Sequence, residues 1–311
     1  MNTLRALAPA KVNLGLFVGG VRAADARHEL VTVMQSISLA DELSLGPAAA
    51  GSSEDEVLAP ALASPAEENL AARALHAFRA ASGWEHPPVR LVLRKRIPIA
   101  AGLGGGSADA ACTLRLCAAA AGLADRGLLH EIAAALGADV PAQLSPGRWL
   151  ASGAGEVLHA LPDPDPPLHL LVLPSDHELS TAAVYARADE LGSHRSAAEL
   201  AAVHEALAHA LAGAQQLPAD AALLVNDLQR AAVELCPAIA PELERARAAG
   251  AKHAFVSGSG PTVIALDALD APDALDAPDR AIAAESVGAA FGDVQRADDG
   301  SVRHNASRIS Q

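Results

Sequence analysis

The chain has few aromatic residues: 2% of its 311 positions, made up of four Phe, two Trp and a single Tyr. A core without large rings must be filled by aliphatic side chains and alanine, and a hydrophobic fraction of 51% is enough to build one. Cysteine is also scarce. Cys112, Cys117 and Cys236 are odd in number in a long chain, which excludes a disulfide framework, and no zinc-ligand spacing accompanies them. The 23 Lys and Arg are outnumbered by 37 Asp and Glu, and the longest basic run is Arg94-Lys95-Arg96. A formal charge of −14 excludes the basic stripe that nucleic acid requires. No apolar run reaches membrane-spanning length, and the opening MNTLRALAPAKVNLG holds no signal core. A reduced, cytoplasmic protein without nucleic-acid or membrane partners is expected, and its oligomeric state is left open.

What is present is patterned. Residues 4–18 read as a strand, and residues 28–46 as one or two more, with Val31, Val33 and Ile37 at period-two positions. Residues 48–64 read as a loop. NLAARALHAFRAASG is a helix stopped by Gly83, and VRLVLRKRIP is a strand. Helices are expected over about 108–121 and in GLLHEIAAALG, and a hairpin over 148–161. PDPDPP, residues 162–167, suits neither helix nor sheet and divides the chain into domains 1–161 and 162–311. The second half predicts a buried strand (LHLLVLP), helices near 182–191, 197–212 and 228–249, two strands around SGSG, a helix over 280–291 and a strand over 294–297. That order is α+β. The tandem LDAPDALDAPD, residues 269–279, reads as a surface loop.

Four stretches can carry chemistry. In PIAAGLGGGSADAA, Gly102, Gly104, Gly105 and Gly106 strip side chains from a strand-to-helix turn, and Ser107 stands where the helix begins. Exposed amides and a positive helix end favour phosphate there. A Walker loop would need a lysine that is absent, and the dinucleotide fingerprint would need glycine at Ser107. In LGADVP, Asp139 is either an N-cap or an acidic catalyst. In PAKVN, Lys11 is either an outward lysine on an edge strand or a cation facing an anion. SGSGPT, from Ser257, is either an ordinary hairpin or a second exposed-amide turn.

In this order and spacing the four stretches resemble the GHMP kinase superfamily over residues 4–266. HELVTVMQSISLADEL, NLAARAL, STAAVY and LLVNDLQ are further similar to its branch acting on a CDP-linked methylerythritol in the non-mevalonate isoprenoid route. The resemblance implies an α+β, two-domain fold, with an N-terminal domain like ribosomal protein S5 domain 2 and a ferredoxin-like C-terminal domain. It implies transfer of phosphate from ATP, with Mg²⁺, to a small-molecule alcohol. It assigns catalysis to Lys11 and Asp139. ATP falls to Pro98, Ala101, Gly102, Leu103, Gly104, Gly105, Gly106, Ser107 and Ala108, with Ser107 also near Mg²⁺. The acceptor falls to Asn13, Arg27, His28, Thr181 and Tyr185. Arg27 stands where the family has tyrosine, and its guanidinium can still stack on a base. A mevalonate or homoserine type of kinase, and a non-catalytic sensor on the same fold, are the alternatives.

Overall fold

The computed structural model describes residues 1–60, 69–266 and 281–297; the tandem stretch at 269–279 lies outside them. Two very long strands set the frame. β1, Leu4–Val21, pairs antiparallel with β2, His28–Pro47, which is a single strand. The pairing slips between Pro9 and Lys11, between Asn13 and Gly15, and between Val18 and Val21. An irregularity of this kind changes which face a side chain takes. Ala6 and Ala8 pack in the cluster beneath the first helices, whereas Ala10, Val12 and Leu14 join the cluster shared with the second sheet. The slip after Pro9 thus exchanges the faces and turns Lys11 and Asn13 to the side where the helices begin.

Along its other edge β2 carries two partners, β4 (Val89–Arg94) near its C-terminal end and β5 (Arg148–Ser152) near its N-terminal end. β6, Val157–Leu161, completes the expected hairpin with β5. β3, Glu56–Leu58, pairs parallel with β4 inside the stretch read as a loop. Its three residues are too few to show a period. β11, Gln295–Arg296, returns to pair with β1. The second sheet is antiparallel in the order β10-β7-β9-β8, built from β7 (His169–Leu173), β8 (His253–Val256), β9 (Val263–Leu266) and β10 (Ile282–Glu285).

The helices start and stop where their caps dictate. α1, Leu70–Ser82, opens with Asn69 accepting from the Ala71 N–H and closes on Gly83 in the left-handed conformation. α2 runs Gly105–Ala121, three residues longer at its start than expected, because the glycines themselves form its first turn. α3, Arg126–Leu136, is capped by Asp125, and the short α4 is Val140–Gln143. In the second half α5 is Thr181–Glu190, and α6, Ala197–Ala210, carries a reciprocal Ser196–Glu199 cap. The helix expected over 228–249 is two, α7 (Gln229–Leu235) and α8 (Ile239–Ala248), interrupted at Cys236-Pro237 because proline cannot continue the first. The helix expected over 280–291 is absent. Its residues form β10 and a short 3₁₀ turn, Ala289–Gly292. Alanine favours helix there, but the unpaired edge of β7 offers four residues of ladder, and pairing wins over propensity.

The cores are aliphatic and rich in alanine, as the composition requires. Cys112 and Cys117 are fully buried in the first, where burial pushes the Cys112 thiol up to about 12 and makes it a packing residue. One ionic group sits inside this packing. Lys95 Nζ lies 2.5 Å from Asp41 Oδ2 and 2.6 Å from Asp109 Oδ2, tying β2, the end of β4 and the start of α2 together just below the glycine turn. The second Asp41 oxygen accepts the backbone N–H groups of Arg96 and Ile97. Burial raises the Asp109 carboxyl well above its usual range; Lys95 opposes that and Asp41 adds to it. A carboxyl that holds its proton more tightly when folded makes stability fall as pH rises from about 3.9 through the raised value. Lys95→Met is therefore expected to cost about 3–5 kcal/mol near neutral pH. The cost should be smaller near about pH 5, where folded Asp109 keeps its proton. Urea melts at the two pH values check both the size and the direction.

Candidate active site

Lys11 stands in the middle of β1 and is 7% exposed, so it is not an outward lysine. A buried ammonium needs oxygen acceptors within reach. Asn13, two residues on and hence on the same face, supplies the first: Lys11 Nζ donates to its Oδ1 at 2.8 Å. Asn13 Nδ2 donates to Thr32 Oγ1 at 2.8 Å, and Thr32 donates to the Gly15 carbonyl at 2.6 Å. That relay fixes the amide with its oxygen toward the lysine. Asp139 supplies the second acceptor, its Oδ2 3.2 Å from Nζ. Asp139 does occupy the N-cap position of α4, yet its side chain makes no capping hydrogen bond. The carboxylate faces the lysine instead.

The glycine turn is fitted around this pair. On the edge of β1 away from β2, the Lys11 N–H donates to the Leu103 carbonyl at 3.0 Å. Gly104, with φ 67°, is the N-cap of α2. A Cβ on it would stand 2.9 Å from Lys11 Cγ and 3.0 Å from Cε. Gly102, with φ 72°, lies against the second glycine turn: its Cβ would meet the Ser257 carbonyl at 2.7 Å and the Gly260 carbonyl at 2.9 Å. Asn226 fixes that second turn by donating to the carbonyls of Val256 and Gly258, both at 2.7 Å. The first-turn amides of α2, on Gly105, Gly106 and Ser107, have no acceptor within the helix and carry its positive end. Gln143, 2% exposed, leaves Nε2 without a partner 3.4 Å from the Gly104 Cβ position. An orphaned donor beside a side-chain-free helix start suits an anion, so the residues present fit a nucleotide phosphate.

These groups line a cleft of about 710 Å³, a size typical of small-molecule sites. Of the loop candidates, Gly102, Gly104 and Ser107 reach it. Ala101 and Leu103 are packed in the core shared by the two sheets, and Ala108 in the core beneath α1. Gly105 and Gly106 back onto Ile97 and Leu70, and Pro98 is half-buried away from the lining. Any role for these six toward a phosphate runs through the backbone. The acceptor-side candidates Asn13, Arg27, His28, Thr181 and Tyr185 all line the cleft. Arg27 follows Ala26, which has φ 57°, and its Nη2 donates to the Ala154 carbonyl at 2.9 Å. The His28 and Tyr185 rings lie 4.9 Å apart, tilted by 38°. Burial, with the nearby charge of Asp139, pushes the Tyr185 phenol up to about 12, so it stays protonated at neutral pH. Thr181 shares a hydrogen bond of 2.9 Å with Ser259, joining α5 to the second glycine turn.

Four residues escaped the sequence, Ser259 and Asp189 in the cleft lining and Asn226 and Gln143 behind it. Ser259 and Asn226 sat in stretches whose pattern was noticed but whose partners lie far along the chain. Gln143 follows Asp139 by four residues and left no signal. Asp189 does have one: it follows Thr181 and Tyr185 at a spacing of four on α5, and it lines the same cleft.

Residues 69–147 match the GHMP kinases N terminal domain and residues 196–289 the GHMP kinases C terminal domain. A 4-diphosphocytidyl-2-C-methyl-D-erythritol kinase of Streptomyces avermitilis is 43% identical over 261 residues, which is 82% of this chain and 84% of that protein. A crystal structure of 4-(cytidine 5'-diphospho)-2C-methyl-D-erythritol kinase superimposes with a TM-score of 0.72 at 36% identity, covering 91% of this chain and 99% of the other. A homoserine kinase from Cytophaga hutchinsonii reaches a TM-score of 0.71 over 95% and 98% of the two chains, but at 17% identity it shares the fold alone.

The contact between the two glycine turns leaves no room for one added carbon. Gly102→Ala is expected to lower stability by about 2 kcal/mol or more, from a strained positive φ and a clash with two carbonyl oxygens that cannot swing away. ATP affinity should fall with it. Thermal melts with and without nucleotide check this, and an unchanged melt would show that the turns are not in contact.

Proposed function

The chain belongs to the 4-diphosphocytidyl-2-C-methyl-D-erythritol kinases within the GHMP kinases, and from that premise we propose that it transfers the γ-phosphoryl group of ATP to the 2-hydroxyl of 4-diphosphocytidyl-2-C-methyl-D-erythritol, in isoprenoid precursor synthesis. The observation that carries the assignment of residues is the 3.2 Å approach of Lys11 to Asp139 in a cleft that reaches the glycine cradle on one side and the His28–Tyr185 surface on the other.

Asp139 accepts the proton of the attacking hydroxyl while the new O–P bond forms. The bond from the γ-phosphorus to the oxygen bridging the β-phosphate breaks, and ADP departs with that electron pair. Lys11 offers its ammonium to the negative charge that gathers on the attacking oxygen, and Asn13 keeps that ammonium in place. Backbone amides at the start of α2 hold the donor phosphates, with the Gln143 amide buried behind Gly104. We assign Mg²⁺ to the Ser107 hydroxyl, which lines the cleft; when bound, the ion neutralises charge on the β- and γ-phosphates. One protein oxygen suits an ion that draws most of its ligands from phosphate and water. Arg27, His28 and Tyr185 form the surface for the cytosine ring, with Thr181 at its edge.

We assign residues 1–161 to the donor half and 162–311 to the half that closes the acceptor side. The division between the two sheets at 162–167 supports it, and β11 returns across that boundary. We also place the reaction in the cytoplasm; among the described residues no helix is long and apolar enough to cross a membrane.

The test is an ADP-release assay with the CDP-linked methylerythritol, mevalonate and homoserine as acceptors. Turnover is expected on the first, and comparable turnover on either of the others would overturn the substrate assignment. Asp139→Asn is expected to cut kcat by about 10²–10⁴ while ATP affinity, measured by calorimetry, stays near wild type. Lys11→Ala should likewise act on kcat more than on ATP affinity. Near-normal turnover of Asp139→Asn would remove it from the role of base.

A further inference from the structure

We propose that Asp189 is a positioning residue for base selection: it holds the His28 imidazole with its proton on Nε2, so that the ring offers Nδ1 as an acceptor and the cleft prefers a pyrimidine bearing an amino group to one bearing an oxo group. The proposal rests on the assignment of His28 to the base.

Thr181, Tyr185 and Asp189 lie four residues apart on α5, form one stripe of the helix and all line the cleft. Asp189 Oδ1 stands 2.8 Å from His28 Nε2 and 3.0 Å from His194 Nε2. A carboxylate can only accept, so the hydrogen bond from His28 places that ring's hydrogen on Nε2, while His194 stands within ion-pair reach of the same oxygen. In the neutral ring the other nitrogen of His28 is then a lone-pair acceptor. Two ring contacts restrict the imidazole further: Tyr185 at 4.9 Å, and His194 at 5.6 Å with a tilt of 30°. His28 is thus held in both orientation and tautomer.

Local helix energetics give no reason for an aspartate at this position. It is the penultimate residue of α5, at the negative end of the helix, where a carboxylate is disfavoured and where Asp is a poor helix former. The two imidazoles beside it, His28 by a hydrogen bond and His194 by proximity, offset that cost. One comes from the start of β2, and the other from the turn after α5, which Gly192 closes at φ 65°. With the Asp189 side chain 42% exposed, its removal is expected to leave the fold intact.

The consequence falls on the 4-position of the base. Cytosine carries an amino group there that donates to Nδ1. Uracil carries a carbonyl, which sets lone pair against lone pair. A site built to bond one polar group rejects an analogue that lacks it far more strongly than a site built on shape alone.

The experiment uses the full chain, with Asp189→Ala and His194→Ala, and CDP- and UDP-linked methylerythritol as acceptors. In Asp189→Ala, KM for the CDP-linked acceptor is expected to rise about tenfold with a smaller change in kcat, and the CDP-over-UDP preference in kcat/KM to fall by about tenfold or more. His194→Ala should move both in the same direction by less. ¹⁵N spectra of labelled histidine should show His28 protonated on Nε2 in the wild type and a tautomer mixture in Asp189→Ala. A preference and a KM that stay within about twofold in a variant with a wild-type melt would overturn the proposal, as would a wild-type His28 protonated on Nδ1. A wild type inactive on the CDP-linked acceptor would overturn the functional assignment, while the spectra decide the tautomer independently.

Discussion

A buried ammonium organises this protein. Lys11 is largely withdrawn from water, so its surroundings must supply oxygen, and they do so from several parts of the chain. β1 slips its register before Lys11 to turn it toward the start of α2. Asn13 and Thr32 form a short relay that ends on backbone. α4 gives up the capping use of its aspartate. Gly104 gives up a side chain so that the lysine stem can pass, and Gly258 comes close enough that a Cβ there would stand 3.8 Å from Nζ. Each arrangement is costly or unhelpful locally and becomes reasonable once the cation is taken as fixed.

The same economy of charge governs the cleft. Among its lining residues, Lys11 and Arg27 carry permanent positive charge, and Asp139 and Asp189 oppose them. The protein is acidic overall, so its net charge offers anionic substrates no attraction. In the proposed reaction phosphate is held at close range by amides and a helix end, whose partial charges are fixed in direction and need no counter-ion. On that reading the glycine turn needs no lysine of its own.

Much of the site could be read in the sequence because its parts are chemically odd where they stand: four glycines ahead of a helix, an aspartate in a tight turn, a lysine in an apolar strand. Such residues announce a cost, and the cost points to a partner. What stayed hidden were residues whose chemistry is ordinary and whose meaning lies in a distant contact. Asn226 is unremarkable until the second glycine turn is laid on it, and Ser259 until Thr181 reaches it. The fold errors have a similar origin. Residues 280–291 are alanine-rich and favour helix alone, but the open edge of β7 decides their state. Pro237 divides a stretch whose apolar period runs on either side of it. β3 has too few residues to show a pattern and exists because β4 offers it an edge.

The return of β11 to β1 bears on how the molecule is made. Arg296 pairs with Leu4, and the Ala297 N–H donates to the Thr3 carbonyl at 2.9 Å. Part of the edge of β1 therefore stays unpaired until β11, far along the chain from it, has been synthesised. Loop-closure entropy must be met across all the residues between the two strands before that ladder forms. During synthesis, the open edge beside Leu4 is a place where a nascent chain can pair wrongly, with itself or with a neighbour.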